Sequence, residues 1–349
     1  MTDTHDSDGW REIVDLETLT QWMDDRGLGS APIENAAPIG GGTQNILLRF
    51  NRGEEAFVLR RPPRNKRPES DKVMRREMRV LAALAGTDVP HPTLVAGEED
   101  AGPLGAAFYL MRPVEGFNAA IAMPEPYRDR PEWRRAMGEG LVDAIVALSR
   151  LDPQAIGLGD LGRSEGWLER QVPRWRGQLD SYAAFEGWPG LNALPRVDRI
   201  CDWLEAHRPA VLHPGLVHGD YHIANVLYRP DTPELAAIVD WELASIGDPL
   251  LDLGWLMATW PDEGDDAIVA VEPADGFPAI AELVDRYLAA TGRSAADARW
   301  FGVLACLKLG AILEGSHARA CAGLAPGAIG DRLHAQTIAL FERALRRIQ

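Results

Sequence analysis

The stretch VHGDYHIANVL, residues 217–227, holds His218, Asp220, His222 and Asn225 close together, and two chemistries compete for them. On a β-strand His218, Asp220 and His222 alternate, so all three project from one face and form a donor set for a transition metal. Asp220 and Asn225 are five residues apart. In phosphoryl transfer that spacing lets a carboxylate accept the proton of an attacking hydroxyl, a role worth about 10²–10⁴-fold, while an amide oxygen meets Mg²⁺.

The metal-hydrolase reading needs more ligands. None of His5, His91, His207, His213 and His317 forms a second HxH or HxxxH pair nearby. The glycine in HGD also favours a tight loop over a straight strand. Phosphoryl transfer finds its remaining parts. A hairpin from Asn225 to Asp240 brings IVDWE back beside the loop, where the Asp240 carboxylate can bridge Mg²⁺ to phosphates, with Glu242 as a supporting acid. Upstream, Gly40-Gly41-Gly42-Thr43-Gln44-Asn45 lies between two expected strands, so that backbone N–H groups can close over phosphates. Arg60, in the second strand after it, supplies a cation for the phosphates, and Glu77 in the following helix supplies a carboxylate to hold that cation. Arg61 competes for the role of Arg60, since strand alternation gives the two opposite directions.

The elements that must carry these residues follow from periodicity. Leu16, Leu19, Trp22 and Met23 set a helical rhythm over 15–27, stopped at Gly27. Strands are expected before the glycines, over Asn45–Phe50, over Ala56–Arg61 and within 106–116, with a turn at Asn51–Glu54. A helix starts at Ser70, capped by Ser70 or Asp71, with Val73, Met78, Leu81 and Leu84 to pack. Beyond 117 helical patterns dominate: 131–151, 165–182, 197–207, 250–260, 278–290, 297–315 and 331–348. Two short β-runs, Asn225–Tyr228 and Leu235–Asp240, interrupt them. The fold class is α+β, with a small β-rich N-terminal lobe over 1–114 and a larger, mainly helical lobe over 115–349.

Composition excludes several function classes. The chain has 349 residues, 46% hydrophobic and 25% charged, with neither low-complexity tracts nor repeats. No apolar run reaches the ~18 residues of a membrane span, and the acidic start MTDTHDSDGW lacks the pattern of a secretory signal. A formal charge of −16 opposes a nucleic-acid partner. Cys201, Cys306 and Cys321 show no CxxC spacing, so each reads as a small buried side chain in a reducing cytoplasm. The tryptophans, Trp22, Trp167, Trp175 and Trp255 among them, read as core. Against the acidic background, residues 60–79 carry nine Lys or Arg and three acids, which is either a solvated face or a polyphosphate-attracting one.

The succession GGGTQN, FVLR, REMRVLAAL, FYLMRPVEG, HGDYHIAN, IVDWE and GDPLLDLGWL resembles the aminoglycoside phosphotransferase family of small-molecule kinases. Within it the chain is most similar to the branch related to the kinase-like domains of certain acyl-CoA dehydrogenases, over roughly residues 15–348. The resemblance implies a bilobal protein-kinase-like fold, ATP and Mg²⁺ as cofactors, and a small-molecule hydroxyl as phosphate acceptor. By position it implies Asp220 as catalytic base and Asn225 and Asp240 as Mg²⁺ ligands. Gly41, Gly42, Thr43 and Asn45 then fall on the phosphate loop, and Met111 lines the adenine pocket, with backbone groups of Arg112 and Val114 meeting the base edge. It further implies a bracing role for His218, Asp248 and Asp252, and a substrate-facing one for His222. The family's usual strand lysine is here Arg60, which is cationic and forked but not an equivalent side chain. For the acceptor, the acidity of the helical lobe favours an aminoglycoside-like cation, and the branch favours a hydroxyacyl-CoA or hydroxy acid. A non-catalytic nucleotide-binding scaffold is the reading from another class.

Overall fold

The structure, a computed structural model, describes residues 9–39, 45–261 and 268–349. The strands are β1 Ile33–Pro38, β2 Ile46–Arg52, β3 Glu55–Arg61, β4 Leu94–Glu98, β5 Phe108–Met111, β6 Gly215–Val217, β7 Val226–Tyr228, β8 Leu235–Ile238 and β9 Ser245–Gly247. The α-helices are α1 Leu16–Asp24, α2 Ser70–Leu84, α3 Glu125–Asp129, α4 Pro131–Ser149, α5 Trp167–Ser181, α6 Val197–Ala206, α7 Leu250–Thr259, α8 Ile280–Thr291, α9 Ala295–Cys321 and α10 Gly327–Arg347. They fall into two compact units. One is Met1–Glu115 with Ala236–Ala244; the other is Gly116–Leu235 with Ser245–Gln349. The short return segment at 236–244 thus belongs with the N-terminal strands, which a linear boundary at 114 does not contain.

In the N-terminal unit an antiparallel sheet runs β1-β2-β3-β5-β4. β2 and β3 are joined at Gly53-Glu54, with Arg52 opposite Glu55 and Gly53 at φ +61°, a backbone state that favours glycine. Because side chains alternate along a strand, each has two destinies. Leu48, Phe50, Phe57, Leu59, Phe108 and Leu110 join Leu19, Trp22 and Met23 of α1 in one apolar cluster. The intervening Arg60 and Tyr109 are direct cross-strand partners and both reach Glu77 of α2. α1 is capped by Asp15, whose carboxylate accepts the N–H groups of Glu17 (3.0 Å) and Thr18 (3.2 Å).

α2 differs from expectation at its start. Its N-cap is Glu69, without a side-chain cap bond, because Asp71 is drawn to Lys66 Nζ (2.6 Å) and the Ala107 N–H (3.1 Å). Met74, Met78, Val80, Leu81 and Leu84 form its buried stripe, while Val73 is half-buried. β4, β6 and β9 were not expected from the sequence.

The C-terminal unit is helical around α9, with β6 and β9 paired antiparallel at the root of the 218–225 loop. Trp300, Phe301, Val303, Leu304 and Leu307 of α9 are fully buried. Gly254 of α7 lies where a Cβ would stand 2.4 Å from the Phe301 carbonyl, so α7 and α9 approach closely through that glycine. Cys201 and Cys306 are buried as expected, whereas Cys321 is half-buried. Among the described residues, no helix is long and apolar enough to cross a membrane.

Candidate active site

In the N-terminal unit the Arg60 guanidinium bridges two carboxylates. One Nη2 donates to Glu77 Oε1 and to Asp240 Oδ1, each at 2.7 Å. Of the two neighbouring arginines it is Arg60 that pairs with Glu77; Arg61 points the other way and ties off the Ile13 and Pro62 carbonyls. Tyr109 donates to Glu77 Oε2 at 3.0 Å. Glu77 is 1% exposed, and burial pushes its carboxyl up to about 7 against the opposing pull of Arg60.

Asp240 sits at φ +66°, a left-handed conformation that Asp tolerates better than most residues. Its Oδ1 is on Arg60, so Oδ2 is turned elsewhere, on a side chain 37% exposed. Ligand oxygens of Glu77, Asp240 and Glu242 all lie within 4.8 Å of one another. The basic run at 60–79 is largely spent on structural ties: Arg64 to Glu12, Lys66 to Asp71, Arg75 to the Glu99 carbonyl and Arg76 to the Glu242 carbonyl. Met111 ends β5 half-buried. The Arg112 N–H is taken by the Thr93 carbonyl at 2.9 Å, so only the Arg112 carbonyl and the Val114 backbone can meet a base edge. Asn45 precedes β2; Gly41, Gly42 and Thr43 lie outside the described residues.

In the C-terminal unit β6 stops at Val217 and the chain turns at Gly219, φ +87°. The turn ends the alternation that a three-ligand metal face requires. His218 is fully buried, and its Nδ1 accepts the Asp220 N–H at 3.3 Å; His222 Nδ1 accepts the Ala224 N–H at 3.2 Å. Among the described residues no cation-sized cluster includes His218, Asp220 and His222. Such a cluster does form at Glu314, His317 and His334, but both Glu314 oxygens are already spent, on Trp188 Nε1 (2.7 Å) and His334 Nδ1 (2.8 Å).

Asp252, buried at the start of α7, accepts the His218 N–H at 2.8 Å and the Gly219 N–H at 2.9 Å. Asp248 is equally buried, gripped by both Nη atoms of Arg293 (2.8 and 3.0 Å), and it accepts the His213 N–H from across the unit. One turn beyond Asp252, Trp255 donates its indole N–H to Asp220 Oδ1 at 2.8 Å. Asn225 Nδ2 donates to the Asp220 carbonyl (2.9 Å) and to Asp220 Oδ2 (3.0 Å), which turns the Asn225 amide oxygen away from the carboxylate. His222 Nε2 lies 3.4 Å from Asp220 Oδ1. Burial alone would raise the Asp220 carboxyl. The contacts with His222, His218 and Trp255 outweigh it and hold the group down at about 2.

Sequence reasoning missed Tyr109, Trp255 and Arg293 as polar partners. Trp255 was readable: Asp252 and Trp255 are three apart on one helix and therefore share a face. The arrangement presents a fixed, ionised carboxylate beside an outward amide oxygen in one unit. In the other it presents a carboxylate-clamped guanidinium.

The chain is similar to known proteins. Residues 35–300 match the model of the phosphotransferase enzyme family. Mouse acyl-CoA dehydrogenase family member 10 is 28% identical over 312 residues, which cover 87% of this chain and 28% of that protein. The chain spans about a third of the length of such curated relatives. A Ralstonia eutropha structure, provisionally described as an aminoglycoside phosphotransferase, superposes with a TM-score of 0.78 at 28% identity, covering 96% of this chain and 98% of the other. A thermostable mutant of an aminoglycoside phosphotransferase, solved with AMP-PNP and hygromycin B, shares the fold at 14% identity, with a TM-score of 0.58 over 95% and 97% of the two chains. A family match that takes in both the Arg60 clamp and the Asp220 loop, on a kinase-like α+β fold shared end to end with the Ralstonia protein, means that this chain belongs to the phosphotransferase enzyme family.

Proposed function

We propose that this phosphotransferase moves the γ-phosphoryl group of ATP to a hydroxyl of a small molecule, a hydroxyacyl-CoA or hydroxy acid in preference to an aminoglycoside-like alcohol. The observation that carries the reading is the Asp220 carboxylate, ionised and aimed by Trp255 and Asn225. In this mechanism Asp220 accepts the hydrogen bond of the acceptor hydroxyl and orients its oxygen toward phosphorus. A carboxyl held near 2 is a weak base, so the proton passes late, once the forming bond has acidified the hydroxyl.

The donors suit Mg²⁺. Asn225 offers an amide oxygen and Asp240 a carboxylate oxygen, hard ligands for a cation that prefers oxygen. Bound there, Mg²⁺ would neutralise charge on the phosphates. Arg60 meets the phosphates while Glu77 fixes its guanidinium, and Gly41, Gly42, Thr43 and Asn45 supply backbone N–H donors to them. Met111, Arg112 and Val114 receive the adenine. ATP is supported by the AMP-PNP bound to a fold relative, and the acyl acceptor by the names of the dehydrogenase relatives.

The test is to incubate purified protein with labelled ATP, Mg²⁺ and a panel of hydroxyacyl-CoAs, hydroxy acids and aminoglycosides. Label is expected on an acyl acceptor and is expected to vanish in Asp220→Ala. Near wild-type transfer by Asp220→Ala would refute the base assignment, and label only on aminoglycosides would refute the acceptor.

A further inference from the structure

The chain contains three lysines, Lys66, Lys72 and Lys308, against 33 arginines. Lys308 is therefore the one lysine of the C-terminal unit, which otherwise uses arginine for positive charge. It lies on α9 beneath the 218–225 loop. Its ammonium donates to the Gly219 carbonyl at 3.3 Å and stands 4.5 Å from the centre of the Trp255 ring and 5.8 Å from that of Trp175.

Two of these contacts, to the Gly219 carbonyl and to the Trp255 ring, lead to Asp220. Gly219 is the residue before it, and Trp255 is the donor on its Oδ1. An ammonium against an indole face is held by the ring quadrupole, and half-buried as Lys308 is, it is held more firmly than at an open surface. The site also suits lysine over arginine. A compact ammonium fits between a ring face and a carbonyl, whereas a planar guanidinium is larger and does not titrate.

We propose that Lys308 is a positioning residue of the phosphotransfer site, whose protonated ammonium fixes the Gly219 turn and the Trp255 indole and through them the aim of the Asp220 carboxylate. The inference rests on the phosphotransferase reading above. The charged groups acting on Lys308 are Asp252 on α7, Asp220 on the loop and Arg174 on α5. Burial pulls its amine down to about 8 in spite of the two carboxylates. Above that value the ammonium becomes a neutral amine. The ring contact and the charge-assisted bond to Gly219 weaken, and kcat falls while the KM for ATP holds.

Two measurements test this, the second independent of turnover. In the first, kcat is followed against pH with the best acceptor of the panel. Wild type is expected to lose rate on the alkaline side with an apparent pKa near 8. Lys308→Met is expected to be at least about tenfold slower at neutral pH and to lack that limb, and Lys308→Arg, whose charge is permanent, to recover part of the rate with no alkaline loss. An unchanged profile in Lys308→Arg, or a wild-type rate in folded Lys308→Met, overturns the proposal.

In the second, protein labelled with ¹³C-lysine gives three Cε signals, and the one absent from Lys308→Arg is titrated. Asp220→Asn removes a carboxylate that supports the ammonium, so this signal is expected to titrate lower. The Trp255 indole N–H resonance is expected to move in step with it. If Asp220→Asn leaves the Lys308 titration where it was, the two groups are not coupled and the proposal fails, whatever the acceptor panel shows. If coupling is present but no acceptor or ATP turnover is found, it is the phosphotransferase reading that falls.

Discussion

Trp255→Phe is the perturbation that isolates how Asp220 is aimed. It keeps an aromatic ring under Lys308 and in the core, and deletes the N–H that meets Asp220 Oδ1 at 2.8 Å. A hydrogen bond to a charged group contributes about 1.5–3 kcal/mol, and each ~1.4 kcal/mol is a factor of ten in rate. If the whole of that bond serves orientation, kcat falls by roughly 10- to 150-fold; the Asn225 bond at 3.0 Å keeps part of the geometry and places the expectation toward the lower half. Loss of a donor that favours the ionised form also raises the Asp220 carboxyl from about 2, so any acid limb of the rate profile moves to higher pH. The assay is steady-state transfer to the best acceptor, with KM for ATP and a thermal melt measured alongside. A folded Trp255→Phe enzyme within twofold of wild-type kcat would show that the indole N–H does not aim the carboxylate.

Removing the guanidinium in Arg60→Ala leaves Glu77 buried without its cation, an uncompensated charge that costs about 3–5 kcal/mol unless the carboxyl takes up a proton. Glu77 already titrates higher folded than unfolded, so the folded chain binds that proton more tightly, and the stability this provides is lost as pH rises through about 7. Denaturant midpoints should therefore drop in Arg60→Ala, and further at slightly alkaline than at mildly acidic pH; a pH-independent drop contradicts the assignment. Asp240→Asn leaves Arg60 its bond to Glu77 but removes the negative charge that Asp240 would offer a Mg²⁺ ion. The Mg²⁺ concentration for half-maximal rate is expected to rise by an order of magnitude or more, and an unaltered Mg²⁺ dependence removes Asp240 from the metal.

What could be read from sequence divides along physical lines. Asp220 and Asn225 are held together by a loop that closes within eight residues, so their grouping follows from local chain geometry. Helices long enough to repeat their apolar stripe were recognisable, with ends displaced by a few residues. Three-residue strands such as β6 and β9 carry no period to detect, and they form because the turn at Gly219 and the acids after them require a root.

Arg60 and Arg61 could not be separated until the neighbours on each side of the sheet were known: Tyr109 and Glu77 on one, the Ile13 carbonyl on the other. Trp255 reads as core because hydropathy weighs its ring and not its N–H, and both descriptions hold. Lys308 has no motif around it. Its place depends on which turn of α9 passes under the loop, a tertiary fact.

The membership of Ala236–Ala244 in the N-terminal unit bears on how this protein can be divided. A fragment ending at residue 115 retains all five strands of its sheet and α2, but forfeits the Ile238 N–H bound to the Pro90 carbonyl and the Asp240 carboxylate on Arg60. Its guanidinium would keep the bond to Glu77. What it lacks of its unit is the nine-residue stretch AAIVDWELA. The last residues of the N-terminal unit are made only when the ribosome reaches residue 244, after most of the chain.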